Sequence, residues 1–134
     1  MEISVEHIGL AAKNPRDLAE WYCQVLGAKM VLRIEGDAPA FFVQFGKGLV
    51  LELYTAEKGM EETGYNRLAG WRHIALRVDS IDKTKGELEG LGVSFTEAVK
   101  PAGGGGKVLF FKDPEGNLLH LVERPEEVGR LFGS

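Results

Sequence analysis

The chain reads twice. Residues 5–11, Val-Glu-His-Ile-Gly-Leu-Ala, return at 71–77 as Trp-Arg-His-Ile-Ala-Leu-Arg, so His7 is matched by His73, 66 positions later. Leu26-Gly27 returns as Leu91-Gly92. Leu49-Val-Leu-Glu-Leu53 returns as Leu118-Leu-His-Leu-Val122, which sets Glu52 against His120, 68 positions later. Each copy thus carries one potential metal ligand on its first strand and another on its last. That pattern suggests four convergent ligands at a two-fold seam between two equivalent modules.

Periodicity gives both copies the same plan. Residues 3–11 alternate as a strand. Asn14 then caps a helix that Pro15 opens, with Leu18, Trp21, Tyr22, Val25 and Leu26 at helical spacing and Gly27 at its end. Strands follow at 29–34, 40–45 and 48–55, the last two joined by a tight Gly46-Lys47-Gly48 hairpin. The second copy repeats this with a strand at 71–78, a helix over 80–91 capped by Asp79 or Ser80 and stopped by Gly92, and strands at 93–98, 107–112 and 117–123. Asp113-Pro-Glu-Gly-Asn117 is a turn in which proline presets one dihedral and glycine or asparagine takes the positive one. The expected fold is α+β: two βαβββ modules, 3–55 and 71–124, in one domain spanning 1–134. Neither would bury its sheet alone, so the two should assemble around one shared surface. The connector 56–70 is charged, its Glu57/Lys58 and Glu61/Glu62 clusters reading as solvated. The tail 125–134 fits either a short helix or a lid.

Composition narrows the function. The 134 residues carry a net charge of −4 with acids and bases mixed, and no basic stripe invites nucleic acid or an anionic membrane. No apolar run approaches the roughly 18 residues of a spanning helix, and the N-terminus enters a strand pattern without a signal peptide. Cys23 is the only cysteine, which excludes an internal disulfide, reads as core filling and fits a reducing cytoplasm. Gly103–Gly106 before Lys107 is not a phosphate loop, because a strand rather than a helix follows. It reads as a flexible hairpin or as a lid over a pocket.

Strand side chains alternate between faces. His7, Glu52, His73 and His120 each lie opposite an aliphatic row: Ile8 and Leu10; Leu49, Leu51 and Leu53; Ile74, Leu76 and Val78; Leu119 and Leu121. The ligand face also carries Trp71, Val50, Leu118 and Val122, so it reads as an apolar-walled pocket rather than plain surface. A divalent cation would compensate a buried Glu52. Three imidazoles and one carboxylate suit zinc, nickel, cobalt or iron(II) rather than calcium or magnesium. An octahedral ion would keep two positions for substrate oxygens or water. Tyr54 and Trp71 are candidate pocket walls. Arg77 and Arg124 either hold an anionic substrate or mark solvated strand ends.

The segments Val5-Glu-His-Ile-Gly-Leu10, Trp21-Tyr-Cys-Gln-Val-Leu-Gly27, Leu49-Val-Leu-Glu-Leu53, His73-Ile-Ala-Leu-Arg-Val78 and Asp113-Pro-Glu-Gly-Asn-Leu-Leu-His-Leu121 together resemble the vicinal oxygen chelate superfamily, which includes glyoxalase I, bleomycin-resistance proteins and extradiol dioxygenases. The resemblance covers nearly all of 3–124. It implies a cupped mixed sheet around one divalent metal held by His7, Glu52, His73 and His120, a homodimer as the common assembly, and a metal that chelates neighbouring substrate oxygens and stabilises an enolate-like anion. The last-strand position, usually glutamate, is here His120, which can serve as ligand or general base. Positions at which glyoxalase I enzymes commonly hold glutathione, with arginine and asparagine, are Ala11 and Ala56, which argues against strict glutathione dependence. The leading expectation is a metal-dependent lyase or isomerase of glyoxalase type in which His120 or Glu52 relays a proton. An iron(II) extradiol-type dioxygenase, a non-catalytic ligand-sequestering protein of bleomycin-resistance type and a thiol transferase resembling the fosfomycin-resistance enzymes stand as alternatives.

Overall fold

The computed structural model describes residues 1–60 and 64–132. The connector residues Glu61 and Glu62 singled out above lie outside them. The chain divides into two compact units, Met1–Glu61 and Glu62–Ser134.

In the first unit, β1 (Ile8–Ala12) leads into α1 (Pro15–Leu26), followed by β2 (Lys29–Ile34), β3 (Ala40–Gln44) and β4 (Val50–Thr55). The helix starts where the sequence asks: Asn14 Oδ1 accepts from Asp17 N–H at 3.2 Å and Pro15 occupies the first turn. It stops at Gly27, whose φ of 76° lets its N–H reach the Tyr22 carbonyl. Leu18, Ala19 and Tyr22 are buried on the side that packs on β3 and β4, against Phe41, Val43, Leu51 and Leu53. The sheet runs β1-β4-β3-β2, with β1 parallel to β4 and the other pairs antiparallel. The expected tight turn is present: Gly48 N–H donates to Phe45 O at 2.9 Å and Phe45 N–H to Leu49 O at 3.1 Å.

The second unit repeats the plan with β5 (His73–Arg77), α2 (Ile81–Gly90), β6 (Lys100–Pro101), β7 (Lys107–Lys112) and β8 (Leu118–Glu123), in the order β5-β8-β7-β6. Ser80 is the helix cap, its Oγ accepting from Lys83 N–H at 3.2 Å. Glu123 reaches back from the end of β8 to accept from Ile81 N–H at 2.9 Å. The β7–β8 turn is organised by the buried Asp113, whose carboxylate accepts from Glu115 N–H, Asn117 N–H and the Asn117 side-chain amide at 2.8 to 3.0 Å. Gly116, with φ 91°, supplies the positive dihedral. The tail continues as α3 (Glu126–Gly129) and a 3-10 turn at Arg130–Phe132.

Most elements end within two residues of the sequence reading, and three departures stand out. The first strand was expected over 3–11, but residues 1–7 precede β1, whose ladder begins at Ile8 opposite Leu51. The strand expected at 71–78 is likewise trimmed to 73–77. No strand forms at 93–98. There the Val93 N–H completes the end of α2 by donating to Leu88 O, and Phe95 packs on Phe111 with ring centroids 5.3 Å apart. The alternation of Val93 and Phe95 therefore reflects packing without a ladder. No helix among the described residues is long and apolar enough to cross a membrane.

Candidate metal centre

Each unit holds half of the expected ligand set, at equivalent positions of its own sheet. In the first, β1 lies parallel to β4 with Gly9 opposite Glu52, and β3 places Phe42 on the other side of Glu52. In the second, Ala75 is opposite His120 and Phe110 flanks it on β7. Paired residues in a sheet share a face, so His7 and Glu52 project together, as do His73 and His120. The His7 Nε2 faces Glu52 Oε1 at 3.4 Å. The rings of His73 and His120 stand 4.6 Å apart, centroid to centroid. Within neither unit do three His, Cys, Asp or Glu side chains gather tightly enough to hold a metal, among the described residues.

The histidine tautomers follow from their partners. His7 Nδ1 lies 2.9 Å from Glu6 Oε1, His73 Nδ1 lies 2.7 Å from Asn66 Oδ1, and His120 Nδ1 lies 3.1 Å from the Leu121 carbonyl oxygen. Carboxylate and carbonyl oxygens only accept, so each Nδ1 carries the proton and donates it; the Asn66 amide orientation is assigned from this same network. In the neutral form of each ring the lone pair is then on Nε2. A ligating histidine is commonly oriented by such a bond from its other nitrogen.

The two pairs differ in burial. His7 and Glu52 keep 33% and 27% of their side-chain surface exposed. His120 is 5% exposed. Burial holds its pKa below the usual histidine value; the hydrogen bond to Leu121 partly opposes this, while the charges of His73 and Arg124 add to it. Desolvation also lowers the pKa of His73. Both rings of the second pair are thus biased toward the neutral form that can bind a cation.

Aromatic side chains brace both pairs, a feature missed in the sequence reading. Phe42 meets His7 edge-on at 5.5 Å, and Phe110 meets His73 at 5.7 Å and His120 at 4.8 Å. The signal was available, since Phe42 and Phe110 stand 68 positions apart, as do Glu52 and His120.

The other candidates spread out. Tyr54 and Glu52 line a depression of about 440 Å³ in the first unit whose charged lining residues, Asp37, Glu52 and Glu57, are all acidic. Arg77 and Arg124 line one of about 650 Å³ in the second. Trp71 lies just outside β5 and is 91% exposed. Gly103–Gly106 forms the bend between β6 and β7, and Arg124 Nη1 donates to the carbonyls of Gly103 and Gly105 at 2.5 and 2.7 Å. Cys23 is half-buried on α1, and desolvation raises its thiol pKa, which suits packing rather than nucleophilic attack.

Comparison with known proteins agrees with this duplicated architecture. Residues 4–121 match the model of the Glyoxalase/Bleomycin resistance protein/Dioxygenase superfamily, and the chain belongs to that family. It is 30% identical over 122 residues to a lactoylglutathione lyase from Escherichia coli O157:H7, covering 86% of this chain and 87% of that one. It is 28% identical over 121 residues to a probable lactoylglutathione lyase from Vibrio cholerae, covering 85% and 86%. The fosfomycin resistance protein FosX from Listeria monocytogenes, solved with Mn(II) and 1S,2S-dihydroxypropylphosphonic acid, shares the fold with a TM-score of 0.74 at 19% identity, over 96% of this chain and 98% of that one.

Proposed function

We propose that the chain is a divalent-metal-dependent lyase or isomerase of glyoxalase type, acting on a small substrate with neighbouring oxygens. His7, Glu52, His73 and His120 together hold one zinc, nickel, cobalt or iron(II) ion. The two pairs unite either within one chain or across a homodimer, and the reaction takes place in the cytoplasm. The observation that carries this reading is the state of the three histidines: each Nδ1 is tied to an oxygen acceptor, and each Nε2 lone pair lies on a face shared with a second donor. The lyase relatives and the Mn(II) bound in FosX support it further.

A bound divalent ion would supply Lewis acidity, polarising the substrate oxygens and stabilising the charge left when an adjacent proton departs. The residues do the rest. Glu52 supplies the one negative charge of the donor set. His120, buried and biased toward neutrality, takes or returns the proton where its Nε2 does not ligate the ion, and Glu52, whose second carboxylate oxygen stays available, is the other candidate relay. Phe42 and Phe110 keep the rings oriented and limit water. Tyr54 and Trp71 serve as walls, and Arg77 and Arg124 face the rest of the substrate.

Elemental analysis of protein purified without added metal tests the reading. About one transition-metal ion per chain is expected, with occupancy strongly reduced in both His7→Ala and His73→Ala while circular dichroism stays native. His120→Glu should keep the metal and change the pH–rate profile. Full metal occupancy in both alanine variants would refute the shared centre.

A further inference from the structure

The three histidines find their Nδ1 acceptors in different ways. His7 uses Glu6, its chain neighbour, whose side chain is 90% exposed. His120 uses the carbonyl of Leu121, a backbone atom of β8 itself. His73 is the one of the three whose acceptor comes from a distant part of the chain: Asn66 Oδ1, at 2.7 Å. Fully extended, the stretch from Asn66 to His73 would span about 24 Å. Two features turn it back instead. Leu68 N–H donates to Tyr65 O at 3.3 Å, closing a turn around Asn66, and Gly70 takes φ 106°, in the left-handed region.

The aromatic neighbours of His73 cannot choose its donor nitrogen. Phe110 meets the ring edge-on at 5.7 Å and the His120 ring stands 4.6 Å away, contacts that fix where the ring lies. Ring packing of this kind does not tell one tautomer from the other, whereas a hydrogen bond does. A free imidazole side chain in water favours the Nε2–H form, so an acceptor at Nδ1 is needed to reverse that preference. The Asn66 amide is neutral and fixes the proton without adding charge. It is also exposed, so removing it opens no gap in the core. We propose that Asn66 is a positioning residue for the candidate metal centre: it holds His73 in the Nδ1–H form and so assigns Nε2 to the cation. The assignment to a cation rests on the function proposed above; the choice of tautomer does not. The connector thereby takes part in the site rather than only joining the modules.

The test starts from the full chain, stripped of metal and carrying isotope-labelled histidine, with the imidazole nitrogen shifts read by NMR at about pH 8, where ordinary imidazoles are neutral. His73 should be Nδ1–H in the wild type, in Asn66→Asp, which keeps an acceptor of the same length, and in Arg67→Gln, a change beside it in the same turn. Asn66→Leu, which removes the acceptor at similar volume, should move His73 toward Nε2–H. Zinc(II) titration by calorimetry then reads the consequence. Affinity should fall about tenfold in Asn66→Leu, the low end for losing an orienting bond because this one is exposed. It should stay at or above wild type in Asn66→Asp and be unchanged in Arg67→Gln. Circular dichroism checks each variant, and Asn66→Ala carries the test if Asn66→Leu does not fold. A wild-type Nε2–H ring, an unchanged tautomer in Asn66→Leu, full zinc affinity despite a shifted tautomer, or equal loss in Arg67→Gln overturns the proposal. A wild type that binds no zinc, with the tautomer shift observed, refutes the metal centre instead and leaves Asn66 as the residue that orients His73.

Discussion

The two modules hold equivalent positions in equivalent registers, yet they carry opposite chemistry. The first pairs an imidazole with a carboxylate, leaves both partly open to water, and adjoins an acidic depression. The second pairs two imidazoles, buries one almost completely, and adjoins an arginine-rich depression. Duplication has preserved the backbone framework, with Gly9–Glu52–Phe42 and Ala75–His120–Phe110 lying side by side in the same order. The side chains hung on it have diverged. The first pair carries a carboxylate, while the second consists of two imidazoles.

Two hairpins at different places in the two modules, β3–β4 in the first and β6–β7 in the second, also differ, and they give the largest expected effect. Gly46 in the first module has φ 56° with nothing near its missing side chain, so Gly46→Ala should cost only the left-handed strain of about 1–2 kcal/mol. Gly106 in the second has φ 96°, and a Cβ there would overlap the Glu123 carbonyl oxygen, a backbone atom that cannot swing aside. Gly106→Ala should be several-fold more destabilising. Urea unfolding of both variants checks this, and equal costs would remove the claimed difference between the hairpins.

A second, smaller asymmetry concerns pH. Burial depresses the folded-state pKa of His73 and His120, whereas in the unfolded chain both return to about 6.5. As pH falls through that value the unfolded chain takes up protons first. The stability present above about pH 6.5 is therefore lost as pH drops toward the lower folded values, and the loss then levels off. Urea midpoints of the metal-free protein at pH 7.5, 6.5 and 5.5 should fall in that order. The double variant His73→Gln/His120→Gln should show a shallower fall, and an unchanged slope would show that the second pair is not the source.

Much of this contrast was legible before any coordinates. Repeats fixed by His7/His73 and Glu52/His120 pointed to the side-chain pairs His7–Glu52 and His73–His120, which are neighbours in the structure, and Asn14, Ser80, Gly27 and the Asp113 turn marked the ends of elements through local chemistry alone. What stayed hidden depends on neighbours distant in sequence. The Nδ1 acceptor of His73 is Asn66, which sits in a connector with no periodicity to announce it. Val93 and Phe95 imitate a strand because packing against a helix end and Phe111 also selects alternate apolar residues. The gathering of Arg77, Arg124 and Phe132 could not be seen either, because the tail's path is set by tertiary contacts with the Gly103–Gly106 bend, where Gly105 lies against Pro125 and Val128.

The smallest effect is the most specific to the comparison. Tyr54 occupies the place that Val122 holds in the second module, and Gly9 the place of Ala75. The tyrosine ring lies over Gly9, such that a Cβ at that glycine would sit 3.1 Å from Tyr54 Cε1. A larger side chain on β4 is thus matched by a missing one on β1, whereas the second module combines a smaller β8 residue with alanine. Because Tyr54 is 40% exposed, its ring can move a few tenths of an ångström, so Gly9→Ala should cost no more than about 1 kcal/mol, at the mild end of overpacking. Tyr54→Val should relieve that cost, so a double-mutant cycle between the two should give a favourable coupling of about 0.5–1 kcal/mol. Additive effects would mean that the two substitutions arose independently, and that the first module's open acidic depression owes nothing to the space left by Gly9.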